Sequence, residues 1–437
     1  MPTSRRTFLQ TAALAAAAAA PARSANDKVQ VGVIGCGARS QEIMKALLAH
    51  PQAAITGICD AYKGRLERTI TEVGSRNGSK PSPRKDYRDI LGDKSIDAVI
   101  IATPDHWHAR MVIEAVEAGK DVYCEKPLTY RASEGPEIIA AAKRTGKMVQ
   151  VGSQPISSAL QQKAKEIVRS GRLGQITMIR AAYNRNTASG AWIYPIPPDA
   201  SPETCDWEKF QGSAPKHPFS LERFFRWRCY NDYSGGIATD LFVHLCTSIH
   251  FLMDAKVPAR AVGLGELYRW KESREVPDTI NAVLEYPEGF VANLSATFNN
   301  QSGGESGVQV LGTKGSLNIG NTLTLSPEIV REDNQWIVDS WPKALEEAYY
   351  KDPKVRETEL PSRRPRAVDG TRTFKGDGPD SSITHLGAWL ESIRTRQPHW
   401  EDASAGHHAA ACAHMVNQAA RTRRVVEWDF EKDDIRG

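Results

Sequence analysis

The sequence predicts an α/β domain built on a doubly wound parallel sheet, followed by an α+β domain with a mostly antiparallel open sheet. Two observations carry the first half of that expectation. From Val29 to Gly152, apolar runs of strand length alternate with amphipathic helical stretches, and the first run turns into a helix through closely spaced glycines. Such alternation implies parallel strands whose helical crossovers cover both faces of the sheet. A third observation carries the second half: beyond Ser157, strand-like runs succeed one another across short turns such as Pro287-Glu288-Gly289. Strands joined that tightly are antiparallel neighbours. At 437 residues the chain is too long for one small core. The expected boundaries are 1–25, 28–155 and 156–437.

Residues 1–25 read as an export leader. Ser4-Arg5-Arg6-Thr7-Phe8-Leu9 precedes the alanine tract Ala15–Ala20 and small residues at Ala22 and Ser24, the pattern of a twin-arginine signal. That route carries folded proteins, so the translocon is an expected partner and the periplasm or exterior the expected destination. The tract is short and weakly apolar, a poor permanent span, and a cleaved leader is favoured.

In the first domain the strands are read as Val29–Ile34, Ala53–Cys59, Ala98–Ala102, Asp121–Cys124 and Met148–Val151. Helices are read at Gln41–His50, Ala109–Ala118 and Ser133–Thr145. In the second domain a helix at Leu160–Arg169 precedes a strand at Ile176–Tyr183, and a segment rich in Pro, Trp and Tyr runs from Thr187 to Tyr233. Strands follow at Ala259–Tyr268, Thr279–Tyr286, Phe290–Phe298 and Gly307–Leu311. Arg331 to Asp380 is charged and proline-punctuated and is expected to be an irregular surface excursion. Helices Ile383–Thr395 and Ala403–Ala420 close the chain, and helices within 383–420 are candidates to pack back on the first domain.

Gly35-Cys36-Gly37-Ala38-Arg39-Ser40 follows a strand and opens a helix, the context in which glycines let a pyrophosphate approach a helix N-terminus. Asp60 ends the second strand, placed to accept hydrogen bonds from ribose hydroxyls and to repel a 2′-phosphate. The first domain is therefore expected to be a Rossmann domain that prefers NAD to NADP, with Gly35, Gly37, Ala38, Arg39 and Asp60 around the nucleotide. The mouth of the sheet carries Thr103, Pro104, Asp105 and His108, then Glu125 and Lys126. These are expected to complete the nucleotide site. Lys126, a lysine before a proline at a strand end, suits proton transfer beside an oxidised nicotinamide.

The runs Ala102-Thr103-Pro104-Asp105 through His108, Ala118-Gly119-Lys120, Glu125-Lys126-Pro127, Gly235 through His244 and Gly312 through Leu317 resemble the Gfo/Idh/MocA oxidoreductases across nearly the whole mature chain. The resemblance implies a catalytic group of Lys126, Asp240 and His244, with either Lys126 or His244 as the base. The spacing of the latter two agrees independently, because residues four apart share a helix face. Asp240 would then orient His244 and favour its protonated form. The resemblance also adds Gln154 to the nucleotide site. Two departures stand out: Gln154-Pro155-Ile156 replaces a common Gln-x-Arg, and Cys246-Thr247 stands where an Asp often follows the histidine.

A sugar pocket is expected from aromatic and guanidinium groups, with Asn184, Arg228 and Tyr233 as contacts. His407, His408, Cys412 and His414 have partial metal-ligand spacing but no acidic companions, so no metal is expected. Seven cysteines without a CxxC pair give no redox motif. Of the formal charge of +4, Arg5, Arg6 and Arg23 of the leader supply three, leaving about +1 and no electrostatic case for nucleic acid. The combined reading is an exported, NAD-dependent oxidoreductase acting on a secondary hydroxyl of a sugar, glycoside or polyol, with tightly held nucleotide and a redox-neutral cycle. A glycoside hydrolase or epimerase working through a transient keto sugar is the alternative, and a non-catalytic periplasmic sugar binder the second. A homodimer or homotetramer is expected from the open sheet.

Overall fold

The computed structural model describes residues 28–78, 80–301, 307–328, 334–359 and 370–436, so the leader lies outside the described residues. The chain forms two units, each assembled from three stretches: 1–154, 195–234 and 380–407 in the first, 155–194, 235–379 and 408–437 in the second.

The first unit holds a six-stranded sheet. In chain order its elements are β1 (Val29–Ile34), α1 (Ala38–Leu47), β2 (Ala53–Cys59), α2 (Lys63–Asn77), β3 (Ser82–Pro83), α3 (Tyr87–Gly92), β4 (Ala98–Ile101), α4 (His108–Glu117), β5 (Asp121–Cys124), α5 (Glu134–Thr145) and β6 (Val149–Val151). The strand order is β3-β2-β1-β4-β5-β6, every pair parallel. The order reverses beside β1, and that switch point is where such sheets bind ligands. Every residue of β4 and β5 is buried, which is why β4 reads as an unbroken apolar run. Part of the covering comes from far along the chain. Leu386, Trp389, Leu390 and Ile393 of helix Ser381–Thr395 join the core with Val31, Val33 and Ile43, and Trp389 Nε1 donates to Val122 O at 3.1 Å.

The Pro-, Trp- and Tyr-rich segment contributes residues 195–234 to this unit. Two short helices punctuate it, Trp207–Gln211 capped by Asp206 and Leu221–Phe225 capped by Ser220. Phe210 is their common core, with ring centroids 4.7 Å from Phe224 and 4.9 Å from Tyr233.

The second unit begins with α6 (Ala159–Arg169) and β7 (Ile176–Asn184), followed after Gly235 by α7 (Val243–Met253). Then come β8 (Arg260–Glu266), β9 (Thr279–Tyr286), β10 (Phe290–Thr297), β11 (Gly307–Gly312), β12 (Gly315–Ile319), β13 (Thr322–Pro327), β14 (Arg372–Lys375), β15 (Val426–Asp429) and β16 (Asp434–Ile435). They form an open ten-stranded sheet in the order β14-β13-β12-β11-β7-β10-β9-β8-β15-β16. Only β7 and β10 run parallel. One face is buried and the other is not: β9 and β10 alternate residue by residue between buried and accessible positions.

The stretch expected to be irregular differs from that reading. Its described parts hold helices Gln335–Val338, Lys343–Lys351 and Pro353–Thr358, and β14 pairs with β13. Lys343–Lys351 buries no residue.

Candidate active site

The glycine turn is fixed by backbone geometry before any ligand is considered. Gly35 has φ +86°, and a Cβ there would lie 2.6 Å from Ala102 O. Gly37 serves another purpose: a Cβ on it would meet nothing nearer than the Arg65 guanidinium at 3.8 Å, so the space before the turn stays open. Helix α1 starts there without a side-chain cap. An open cradle at an uncapped helix N-terminus fits the pyrophosphate of a dinucleotide.

Asp60 is held against this turn. Its Oδ2 accepts the Cys36 N–H at 2.6 Å and its Oδ1 the Tyr62 N–H at 2.8 Å. The carboxylate is thus pre-aimed beside the cradle, which suits ribose hydroxyls and disfavours a 2′-phosphate. Arg65, 3.6 Å from Asp60, is the nearby cation.

At the sheet mouth, Asp105 is buried and Lys126 half-buried. The Lys126-Pro127 peptide is cis. Glu125, also buried, accepts from Gln154 Nε2 at 2.7 Å and lies 3.5 Å from Arg39 Nε. Gln154 Nε2 also lies 2.6 Å from the Tyr123 hydroxyl, a partner the sequence reading missed because Tyr123 sits inside an apolar strand. Arg39 and Gln154 therefore converge on Glu125, beside the lysine.

His108 corrects its sequence reading as a nucleotide contact. Its ring is buried, with Nδ1 2.6 Å from Pro127 O and Nε2 2.9 Å from Thr103 O. Burial holds its pKa below the usual imidazole range, so the ring is neutral at pH 7 and donates to one carbonyl at a time. Set between the two carbonyls, the ring links the loop after β4 to the loop after β5 by donating to one or the other. The ring thereby positions Lys126 through the carbonyl of the next residue.

In the second unit, residues Ala238–Phe242 form a π-helical turn that leads into α7. Asp240 lies on that turn, buried, and His244 one turn on, half-buried. Widened turns of this kind are frequent at functional sites. The Tyr183 ring at the end of β7 lies 6.4 Å from the His244 ring. Strand alternation sends the next side chain to the other face, and Asn184 lines a groove of about 1470 Å³ on the open side with Arg180, Asn281 and Gln309. Tyr183, and not Asn184, is therefore the β7 residue beside His244.

Arg228 is half-buried over the Trp227 ring, 4.1 Å from its centroid. Tyr233 corrects the expectation for it. It is fully buried between His106, at 5.2 Å, and Phe210, so it offers no surface to a substrate. The C-terminal histidines diverge: His407 packs on Gly135, His408 approaches Asp433 at 3.4 Å, and Cys412 lies 3.5 Å from His250. Among the described residues no group of three or more His, Cys, Asp or Glu forms a metal cluster.

Residues 29–153 match the oxidoreductase family with an NAD-binding Rossmann fold, GFO_IDH_MocA, and residues 161–318 match the GFO/IDH/MocA C-terminal domain. The chain belongs to the Gfo/Idh/MocA oxidoreductase family. NAD is accordingly the nucleotide of the first unit's Rossmann domain. Among curated relatives, the scyllo-inositol 2-dehydrogenase (NAD(+)) of Bacillus subtilis is 26% identical over 296 residues, 67% of this chain and 74% of that one. A glycosyl hydrolase family 109 protein of Shewanella baltica is 32% identical over 161 residues, 36% of this chain, and the match spans only 35% of that protein. Among solved structures, levoglucosan dehydrogenase in complex with NADH and levoglucosan superposes with a TM-score of 0.64 at 19% identity, covering 92% of this chain and 99% of that one. The aldose–aldose oxidoreductase of Caulobacter crescentus gives 0.65 at 17% identity, with 92% and 99% covered. At such identities these structures establish the shared fold. No helix among the described residues is long and apolar enough to cross a membrane.

Proposed function

We propose that this family member oxidises a secondary hydroxyl of a sugar, glycoside or polyol and works in a redox-neutral cycle on a nucleotide it does not release. The observation that carries the reading is the coincidence, in one chain, of the Gly35–Asp60 cradle, the clamped Lys126 and the Asp240/His244 pair. In this scheme the C–H of the carbinol carbon leaves as hydride and the hydroxyl proton passes to Lys126 or His244. Bound NAD supplies the hydride acceptor and, in the return half, the donor. His108 and Glu125 hold Lys126 in place; Asp240 orients His244 and favours its charged form once the proton arrives. Aromatic groups such as Tyr183, with Arg228, would supply the sugar contacts.

A second reading is favoured by the resemblance to the family 109 glycosyl hydrolases. A ketone acidifies its neighbouring C–H, so a transient keto sugar can expel a leaving group or invert before the hydride returns. Export by the twin-arginine route, implied by Arg5-Arg6 and the alanine tract, supports retention of the nucleotide, because no NADH-consuming pool exists outside the cytoplasm. The open sheet face, with Val262, Leu264 and Val283 exposed, supports association of two copies or four. One assay separates the readings. Supernatant from denatured protein is tested for NAD(H), and native protein is offered sugars and glycosides without added nucleotide. Released NAD(H) with sugar–sugar oxidoreduction supports the main reading; glycoside cleavage supports the second. Bound sugar with no turnover and no nucleotide overturns both in favour of a binding protein.

A further inference from the structure

Part of the 195–234 segment lies along the chain that follows Asp60. Tyr62 and Cys205 form an antiparallel bridge. Lys63 N–H donates to Thr204 O at 3.0 Å and Asp206 N–H to Ala61 O at 2.7 Å. The Tyr62 hydroxyl donates to Asp199 Oδ1 at 2.5 Å. The Phe225 ring packs edge-on against Tyr62 at 5.3 Å and carries the Arg65 guanidinium 5.4 Å from its centroid. Arg65 is the group that faces Gly37 across the open cradle.

None of this is needed to hold the sheet, because β2 is already paired on both sides, by β1 and β3. The pairing falls instead on the three residues after the ribose-binding carboxylate, the corner past which the adenosine end of a dinucleotide would leave. We infer that residues 199–206 are a strap belonging to the nucleotide site, which closes its adenosine end, with the Tyr62–Asp199 hydrogen bond as the latch. Closure at that end slows release without touching the reacting end, since affinity is tuned chiefly through the dissociation rate. The inference rests on the proposal that the nucleotide is retained between turnovers, and it names the residues that retain it.

The test uses the full chain loaded with NADH, chased with excess NAD, with NADH fluorescence reporting release. Wild type, Tyr62→Phe and Asp199→Ala are compared; Tyr62→Phe removes only the hydroxyl and keeps the ring that packs on Phe225. Both variants should release NADH about tenfold faster or more, the loss expected for one charge-assisted hydrogen bond. The melting temperature of the nucleotide-free Tyr62→Phe protein should stay at the wild-type value. Release rates within twofold of wild type overturn the latch, and a lowered nucleotide-free melting temperature with unchanged release assigns the strap to folding alone. Fast exchange in the wild type overturns the strap while leaving NAD as the cofactor. Failure of the wild type to bind NADH overturns the cofactor reading and the strap together.

Discussion

The two sheets of this molecule solve the same covering problem in opposite ways. The six-stranded sheet has no accessible residue in β4 or β5, whereas the ten-stranded sheet leaves every second side chain of β9 accessible or partly so. The first sheet can therefore present chemistry only where its strands stop, and Thr103, Glu125 and Lys126 all lie just past a carboxyl end. The second presents a whole face to helices such as α7, and its candidate groups, Asp240 and His244, come from the turn that leads into α7 and from α7 itself.

The sharpest contrast is a charge placed in each sheet. Val99→Lys, at a position with no exposure in β4, should abolish folding, because an unpaired buried ammonium costs more than about 4 kcal/mol. Loss of the cooperative melting transition checks it; a folded variant would mean that β4 is not central. Next in size is Lys126→Ala, expected to lower kcat about 10²–10⁴-fold with NADH still bound. Retained turnover would move the proton to His244 alone.

Acid should then find the weak point of the first unit. Burial pushes the His106 pKa down to about 4 and that of His385 to about 3. An unfolded histidine titrates near 6.5, so the stability these neutral rings contribute is complete above that pH. It is lost as pH falls from about 6.5 toward 4 and 3, by up to about 1.4 kcal/mol per pH unit for each ring. Melting temperature followed from pH 7 to pH 4 should fall less steeply in His106→Asn/His385→Asn than in wild type; equal slopes would assign the acid lability elsewhere.

His108→Leu should be milder, about tenfold in kcat with little change in KM, because the clamp on Pro127 O is lost while Lys126 remains. Steady-state kinetics with the best sugar substrate measure it, and a KM effect alone would make the ring a binding group. The smallest effect belongs to the open face. Leu264→Lys, 59% exposed in β8, should leave the unfolding free energy of a single copy within about 0.5 kcal/mol of wild type. It should also shift sedimentation toward single chains; an unchanged assembly would place the interface elsewhere.

This contrast also explains what the sequence made readable. Buried parallel strands and the Gly35 turn are local facts, written as apolar runs and as a backbone position that only glycine fits. Alternation in β9 and β10 was equally local. Strand parity was not: β7 reads the same whichever face is covered, so Asn184 stood out where Tyr183 is the residue beside His244. Tyr233 was misread for a related reason, since an aromatic residue looks alike in a sugar pocket and in a core. The alliance of Tyr62 with Cys205 spans 143 positions and leaves no periodic trace. The short strands β12 and β13 escaped notice because a few residues between turns carry little pattern.

The first unit draws its three stretches from chain that ends only at residue 407. A ribosome that has delivered the glycine turn and all six parallel strands has not yet delivered Trp389, whose indole fills the layer beneath β5. Domain-by-domain folding during synthesis is thereby postponed, and the nascent half must wait, apolar and uncovered, for the carboxyl-terminal helices. A polypeptide stopped at residue 154 should accordingly aggregate, whereas the same residues within the finished chain form a closed core.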